Sequence, residues 1–252
     1  MIDPKRNRGI YLLPNLFTIS GLFAGFYAII AAMQGKFDVA SFAVFIAMVA
    51  DCLDGRVARL TNTESAFGAQ FDSLSDLIAF GLAPSLVIYS WGLSHLGKVG
   101  WLIAFFYLAA TALRLARYNT VEEHPAYFKG LPCPAAAGLI SGLVWFCDVN
   151  QLHYFPMYLL AAIMTVIAAL LMVSSAHYYH FKHLDLKGKV PFVVILGVIV
   201  VIIVVALDPA RILFLAFLLY AASGILTSLW YFRHKDKSAI EPREETDENN
   251  LK

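Results

Sequence analysis

The sequence predicts an all-α fold: a polytopic membrane helix bundle of about eight transmembrane helices. Three observations predict it. Of 252 residues, 60% are hydrophobic and only 15% charged, against about 45–50% and about 25% in soluble domains. The apolar residues fall in successive runs, most of them reaching the ~20 residues a membrane span requires, with polar turns or basic loops between them. With the N-terminus in the cytosol and eight spans, all of the nineteen Lys and Arg residues fall on the cytosolic side except Lys36, Lys98 and Arg211. That bias fixes an orientation with both termini cytosolic.

The elements follow in order. Residues 1–13 are a basic lead-in with Lys5, Arg6 and Arg8, and Ile10 to Leu13 suit the membrane interface. Pro14 stands where a first helical turn tolerates it. The expected spans are 15–33, 39–60, 69–91, 99–118, 131–147, 155–175, 190–207 and 211–232, with Pro84 predicting a kink in the third. The run Gln34-Gly-Lys-Phe-Asp38 is a tight turn, and Asp208-Pro209 separates the last two spans. Residues 234–252 are polar and net acidic, a composition that predicts a disordered tail.

Composition also excludes. A net charge of +1 gives no basic field for nucleic acid. Cys52, Cys133 and Cys147 have no paired spacing and read as free thiols. The first apolar run has no small-residue cleavage site before Gln34, so it reads as a retained helix rather than a signal peptide.

The chemistry concentrates in Asp51 to Asp76, DCLDGRVARLTNTESAFGAQFDSLSD. A charge at the centre of a membrane helix costs about 2.5–3.5 kcal/mol on insertion scales, so four aspartates beside apolar spans call for a cation, a proton path or an ion path. Asp51 and Asp54 are i, i+3, and Asp72 and Asp76 are i, i+4, so each pair shares a helix face. Two helices joined by the polar turn at 62–65 can aim all four carboxylates at one point. Oxygen ligands without His or Cys suit Mg²⁺, Ca²⁺ or Mn²⁺ over Zn²⁺. Gly55 bares the backbone, Ala58 clears the same face one turn on, and Arg59 offers a positive partner for phosphate.

Written as a pattern, the run is D-x2-D-G-x2-A-R-x8-G-x3-D-x3-D, on Asp51, Asp54, Gly55, Ala58, Arg59, Gly68, Asp72 and Asp76. It resembles the signature of the CDP-alcohol phosphatidyltransferase family, over roughly the first six spans. The resemblance implies a membrane core at 14–183 with two additional C-terminal helices at 184–233. It implies that a phosphatidyl group passes from a CDP-linked lipid to an alcohol and that CMP is released. It implies two divalent ions, Mg²⁺ or Mn²⁺, held by Asp51, Asp54, Asp72 and Asp76, with Asp76 as the general base. It further implies a nucleotide site lined by Asp54, Gly55, Ala58, Arg59 and Gly68, and it favours contact of Asn15 and Thr18, at the start of the first helix, with the CDP group.

Two further patches, LRLARYN from Leu113 and GLPCPAAAG from Gly130, resemble the phosphatidylserine synthase branch of that family, as does Ser174-Ser175 leading to Tyr178, Phe181 and Lys182. The resemblance implies CDP-diacylglycerol and L-serine as substrates, and a homodimer. Arg114, Arg117, Asn119 and Lys129 are the candidate acceptor or phosphate ligands, although basic groups at a helix C-terminus also complement its dipole or snorkel. Gly21, Ala24 and Gly25 form a small-residue face suited to close helix packing. His177, His180 and His183 suggest a second metal site only weakly, and an interfacial loop reads better. Three other readings stay open: another alcohol (glycerol phosphate, inositol phosphate or choline), a cation transporter using the aspartates as an ion path, and a non-catalytic scaffold.

Overall fold

The computed structural model describes residues 12–61, 63, 65–120, 128–174, 177–178 and 192–238. The chain forms α1 (Leu12–Met33), α2 (Phe37–Thr61), α3 (Ala66–Asp76), a π-helical segment (Leu77–Leu82), α4 (Ala83–Trp91), a 3₁₀ turn (Leu93–Leu96) and α5 (Lys98–Thr120). After these come β1 (Phe128–Lys129), α6 (Cys133–Val149), α7 (Phe155–Val173), β2 (His177–Tyr178), α8 (Phe192–Leu207) and α9 (Pro209–Ser238). The only sheet among the described residues is the antiparallel β1–β2 pair, Phe128 opposite Tyr178 and Lys129 opposite His177.

Among the described residues, four helices are long and apolar enough to cross a membrane: Pro14–Met33, Ala66–Trp91, Lys98–Thr120 and Phe155–Val173. Ile199–Leu207 and Pro209–Gly224 pass that test together but meet at 115°, across the break at Asp208. α2 has 25 residues, yet its C-terminal half carries Asp51, Asp54, Arg56 and Arg59. α6 has only 17 residues and is buried along nearly its whole length. The helical membrane bundle is therefore as expected, while length and apolarity alone do not reach the count of eight spans.

The contact between α1 and α2 is built of small residues, and many large ones face outward. Ala24, Ala28, Ala31 and Ala32 of α1 are buried together with Ala40, Ala43 and Ala47 of α2. Phe23 and Phe26 of α1, Phe105 of α5 and Leu170 of α7 are exposed. A water-soluble bundle would aggregate with that surface. In lipid, outward bulk is solvated and inward small residues let backbones approach. The small face of α1 is spent this way inside the chain: a side chain on Gly21 would touch Ala50, and one on Gly25 would lie 2.7 Å from the Cα of Ala79.

The third span differs from its expectation at Pro84. Ala66–Trp91 runs on as one helix, and the proline is accommodated by the wide Leu77–Leu82 turn rather than by a kink alone. α9 continues to Ser238, so the first residues of the expected polar tail are helical. Residues 1–11, His180, His183 and 239–252 lie outside the described residues, as does the side chain of His177.

At the site end, Gly130 adopts a positive φ of 88° and Leu131 donates its N–H to the Leu171 carbonyl, 3.0 Å away. This clamps the 128–131 segment onto the end of α7, beside β2. At the other end, His95 stacks on Tyr158, Trp91 meets Tyr158 edge-on, and His153 reaches Asp148 at 3.4 Å.

Candidate active site

α2 brings Asp51 and Asp54 to the bundle end where α3 begins, and α3 supplies Asp72 and Asp76. Ser65 caps α3, accepting the Gly68 N–H at 3.0 Å, and so starts the helix at the register that sets both aspartates. Carboxylate oxygens of Asp51, Asp72 and Asp76 all lie within 4.8 Å of one another. Asp54 stands behind this triad, only 5% exposed. It accepts a 2.9 Å hydrogen bond from the Thr18 hydroxyl of α1. All four carboxylates are close enough to feel one another's charge.

Several contacts lock these helices together. Ser75 donates to the Thr18 carbonyl at 3.1 Å, tying α3 to α1 directly beside the Thr18–Asp54 bond. Asn119, at the end of α5, donates to the Ser73 hydroxyl at 3.0 Å, next to Asp72. A Cβ on Gly68 would come within 3.1 Å of the Ser65 hydroxyl, tighter than an ordinary contact, and would touch the Asn15 carboxamide oxygen at 3.6 Å, so the bare residue 68 leaves room for the Ser65 cap beside Asn15.

The other candidates take distinct places. Gly55 and Arg59 are exposed, and Arg59 folds back along α2 with its Nε donating to the Gly55 carbonyl at 2.9 Å. Ala58 is half-buried on the turn between them. Arg114 is half-buried, with a guanidinium nitrogen 3.1 Å from the Cys133 sulfur. Arg117 and Asn119 are exposed. Lys129 lies in β1, and its side chain is outside the described residues. The structure thus brings Asp51, Asp72 and Asp76 together, couples Asp54 to Thr18, and keeps Arg117 at the surface. Sequence reasoning missed Ser73, Ser75 and Cys133 as partners. Their only signal was position: two serines lie between the aspartates of α3, and Cys133 sits between the two prolines that open α6.

The triad fits a hard divalent cation. Its donors are all oxygen. Among the described residues, no Lys or Arg forms an ion pair with any of the four carboxylates.

A model of the CDP-alcohol phosphatidyltransferase family matches residues 11–174, the stretch that carries this cluster. The chain belongs to that family. A CDP-diacylglycerol–serine O-phosphatidyltransferase of Helicobacter pylori is 38% identical over 244 residues, covering 91% of this chain and 98% of its own. A protein of the same name from Mycobacterium tuberculosis is 40% identical over 152 residues, 56% of this chain and 52% of its own. An archaetidylserine synthase of Methanothermobacter thermautotrophicus is 32% identical over 180 residues, 71% of this chain and 74% of its own. As a CDP-alcohol phosphatidyltransferase, the chain carries its family match on α1 to α7, while α8 and α9 lie beyond it.

Proposed function

We propose that this enzyme transfers the phosphatidyl group of CDP-diacylglycerol to the hydroxyl of L-serine and releases CMP. The observation that carries the reading is the convergence of Asp51, Asp72 and Asp76 across α2 and α3, with Asp54 anchored to α1 behind them. The names of the Helicobacter and Mycobacterium relatives support serine as the acceptor.

Asp51, Asp72 and Asp76 would hold divalent metal, Mg²⁺ or Mn²⁺, as two ions with Asp54 completing the set. Bound there, the metal supplies positive charge to a diphosphate and to the departing CMP. The chain's own groups do the rest. Asn15, Thr18, Gly55, Ala58, Arg59 and Gly68 border the nucleotide side, where the bare backbone at Gly55 admits a ligand. Asp76 accepts the proton of the serine hydroxyl. The serine oxygen forms a bond to the lipid-bearing phosphorus as the bond from that phosphorus to the CMP oxygen breaks. CMP leaves with the electron pair, and no enzyme nucleophile is required. Arg114, with Arg117, Asn119 and Lys129 on the same side, offers the charge that a serine carboxylate or lipid phosphate needs.

The same reading puts the cluster at the cytosolic face of the membrane, with both termini in the cytosol, and takes the working unit as a homodimer. The asymmetry of Lys and Arg supports the orientation.

CMP release by the purified protein tests the proposal, with CDP-diacylglycerol and Mg²⁺ or Mn²⁺ present. L-serine is compared with glycerol 3-phosphate, inositol, inositol phosphate and choline. Turnover with serine alone supports it; turnover with another alcohol keeps the chemistry and moves the acceptor. No CMP with any alcohol, from folded protein with metal, overturns the enzyme reading in favour of an ion path. The archaeal relative gives a second reading, an ether-linked CDP-lipid donor, which faster turnover of that lipid would favour.

A further inference from the structure

The π-helical segment Leu77–Leu82 begins at the residue after Asp76. Such wide turns are rare and concentrate at functional sites. Here the Ala83 N–H reaches back five residues to the Ile78 carbonyl. One residue is about 100° of helical rotation. A register widened by one residue therefore turns α3 by about that much relative to α4. α4 is fixed in the core by Ala83, Val87, Ile88 and Trp91, each 2% exposed or less. An unbroken α-helix leaving α4 would carry Asp72 and Asp76 round the axis, away from Asp51.

Two features hold the wide register. In an α-helix the Phe80 carbonyl would look to the N–H of residue 84, and Pro84 has none to give. The Phe80 carbonyl instead accepts a 2.9 Å hydrogen bond from the Tyr107 hydroxyl, which reaches across from α5 and is fully buried. The far side of the segment is pinned by α1, whose Gly25 abuts the Ala79 backbone.

We propose that Tyr107 is a positioning residue for the acidic cluster: its hydroxyl holds the Leu77–Leu82 turn in the wide register, and that register aims Asp72 and Asp76 at Asp51. The inference rests on the reading that this triad takes a divalent cation. Tyr107 touches no reacting atom; its effect is on where the carboxylates stand.

The test is direct Mn²⁺ binding to the full-length protein in detergent, read from the electron paramagnetic resonance signal of free Mn²⁺, alongside a melting curve. Tyr107→Phe removes only the hydroxyl. Pro84→Ala returns an N–H to residue 84 and lets the turn tighten. Thr165→Val is the control: it deletes an equally buried hydroxyl, on α7, that donates to the Ala161 carbonyl at 2.7 Å. We expect Tyr107→Phe and Pro84→Ala to bind Mn²⁺ about tenfold or more weakly, the range for loss of a group that orients metal ligands, while Thr165→Val binds as the wild type. A merely structural tyrosine would lower the melting temperature and leave Mn²⁺ binding unchanged, and that result in folded Tyr107→Phe overturns the inference. Where that variant does not fold, Pro84→Ala decides in the same way. Failure of the metal reading shows in two other samples. Wild-type protein that takes up no Mn²⁺, or Asp72→Asn protein that takes it up undiminished, brings down the metal site and this inference with it.

Discussion

Replacing Thr18 by valine isolates one hydrogen bond on which the site depends. Thr18 and Asp54 are each 5% exposed, and the hydroxyl stands 2.9 Å from the Asp54 carboxylate. The hydroxyl has one proton, and its other acceptor, the Pro14 carbonyl, is farther away at 3.2 Å and uncharged. Valine keeps the shape and removes the donor. A hydrogen bond to a charged group contributes about 1.5–3 kcal/mol, and a buried carboxylate that loses its donor bears the desolvation cost unrelieved. At about 1.4 kcal/mol per decade, kcat/KM for CDP-diacylglycerol should fall roughly ten- to hundredfold. Thr18→Ser, which restores the donor, should stay near wild type. CMP release at saturating serine, with the CDP-lipid varied, reads both. A Thr18→Val enzyme with wild-type kcat/KM would refute the assignment, because Asp54 would then need no anchor on α1. A Thr18→Ser enzyme as poor as the valine variant would show that the methyl group matters and the hydroxyl does not.

Other perturbations probe the neighbouring parts. Gly25→Ala puts a Cβ 2.7 Å from the Ala79 Cα, a backbone atom that cannot turn aside; the overlap should cost about 1–3 kcal/mol, read as a lower melting temperature, and an unchanged melt would refute the close α1 contact. Chelation with EDTA should abolish CMP release, and Mg²⁺ or Mn²⁺ should restore it where Zn²⁺ does not, because every donor in the triad is oxygen. Arg114→Lys should raise KM for the acceptor on the order of tenfold and leave KM for the CDP-lipid nearly unchanged, since lysine replaces a planar fork with a point charge. Gly130→Ala forces a Cβ onto a φ of +88° and into the Met172 carbonyl, a strain of about 1–3 kcal/mol that should show in the melt and in proteolysis of the 128–131 segment.

The sequence made most of the bundle legible because a membrane leaves the chain few options. With no water for the backbone, each apolar run has to be a helix. α1, α2, α5 and α7 accordingly begin and end within about three residues of their expected limits, within the usual scatter of helix ends. The aspartates were legible for a related reason: charge is too costly near lipid to be placed there idly, and i, i+3 and i, i+4 spacing assigns each pair to one face. What sequence could not give was the rotation of one helix against another. Pro84 announces a break, but whether the chain kinks or widens depends on Tyr107, which lies 27 residues beyond Phe80 and donates to its carbonyl. The Ser73–Asn119 and Arg114–Cys133 contacts are of the same kind, each joining helices whose pairing no local pattern encodes. Gly21, Ala24 and Gly25 read correctly as a packing face, but only the structure says that α2 and the π segment fill it.

That face explains how a small, apolar helix governs a charged site. α1 carries no charged residue between Leu12 and Met33, yet it meets each part of the cluster's support. Its Thr18 hydroxyl anchors Asp54, the Thr18 carbonyl receives Ser75 of α3, and Gly25 seats the turn below Asp76. Lipid cannot drive helices together by the hydrophobic effect, so close backbone contact and buried hydrogen bonds must hold the geometry. The mutual repulsion of four carboxylates works against it. A bulky residue on the inner face of α1 would relieve that repulsion by letting α2 and α3 separate, and in doing so it would dismantle the site. The smallness of α1 is therefore a condition of the cluster's geometry, with Asn15 facing Gly68 and Thr18 bonded to Asp54 at the end of α1 that meets it.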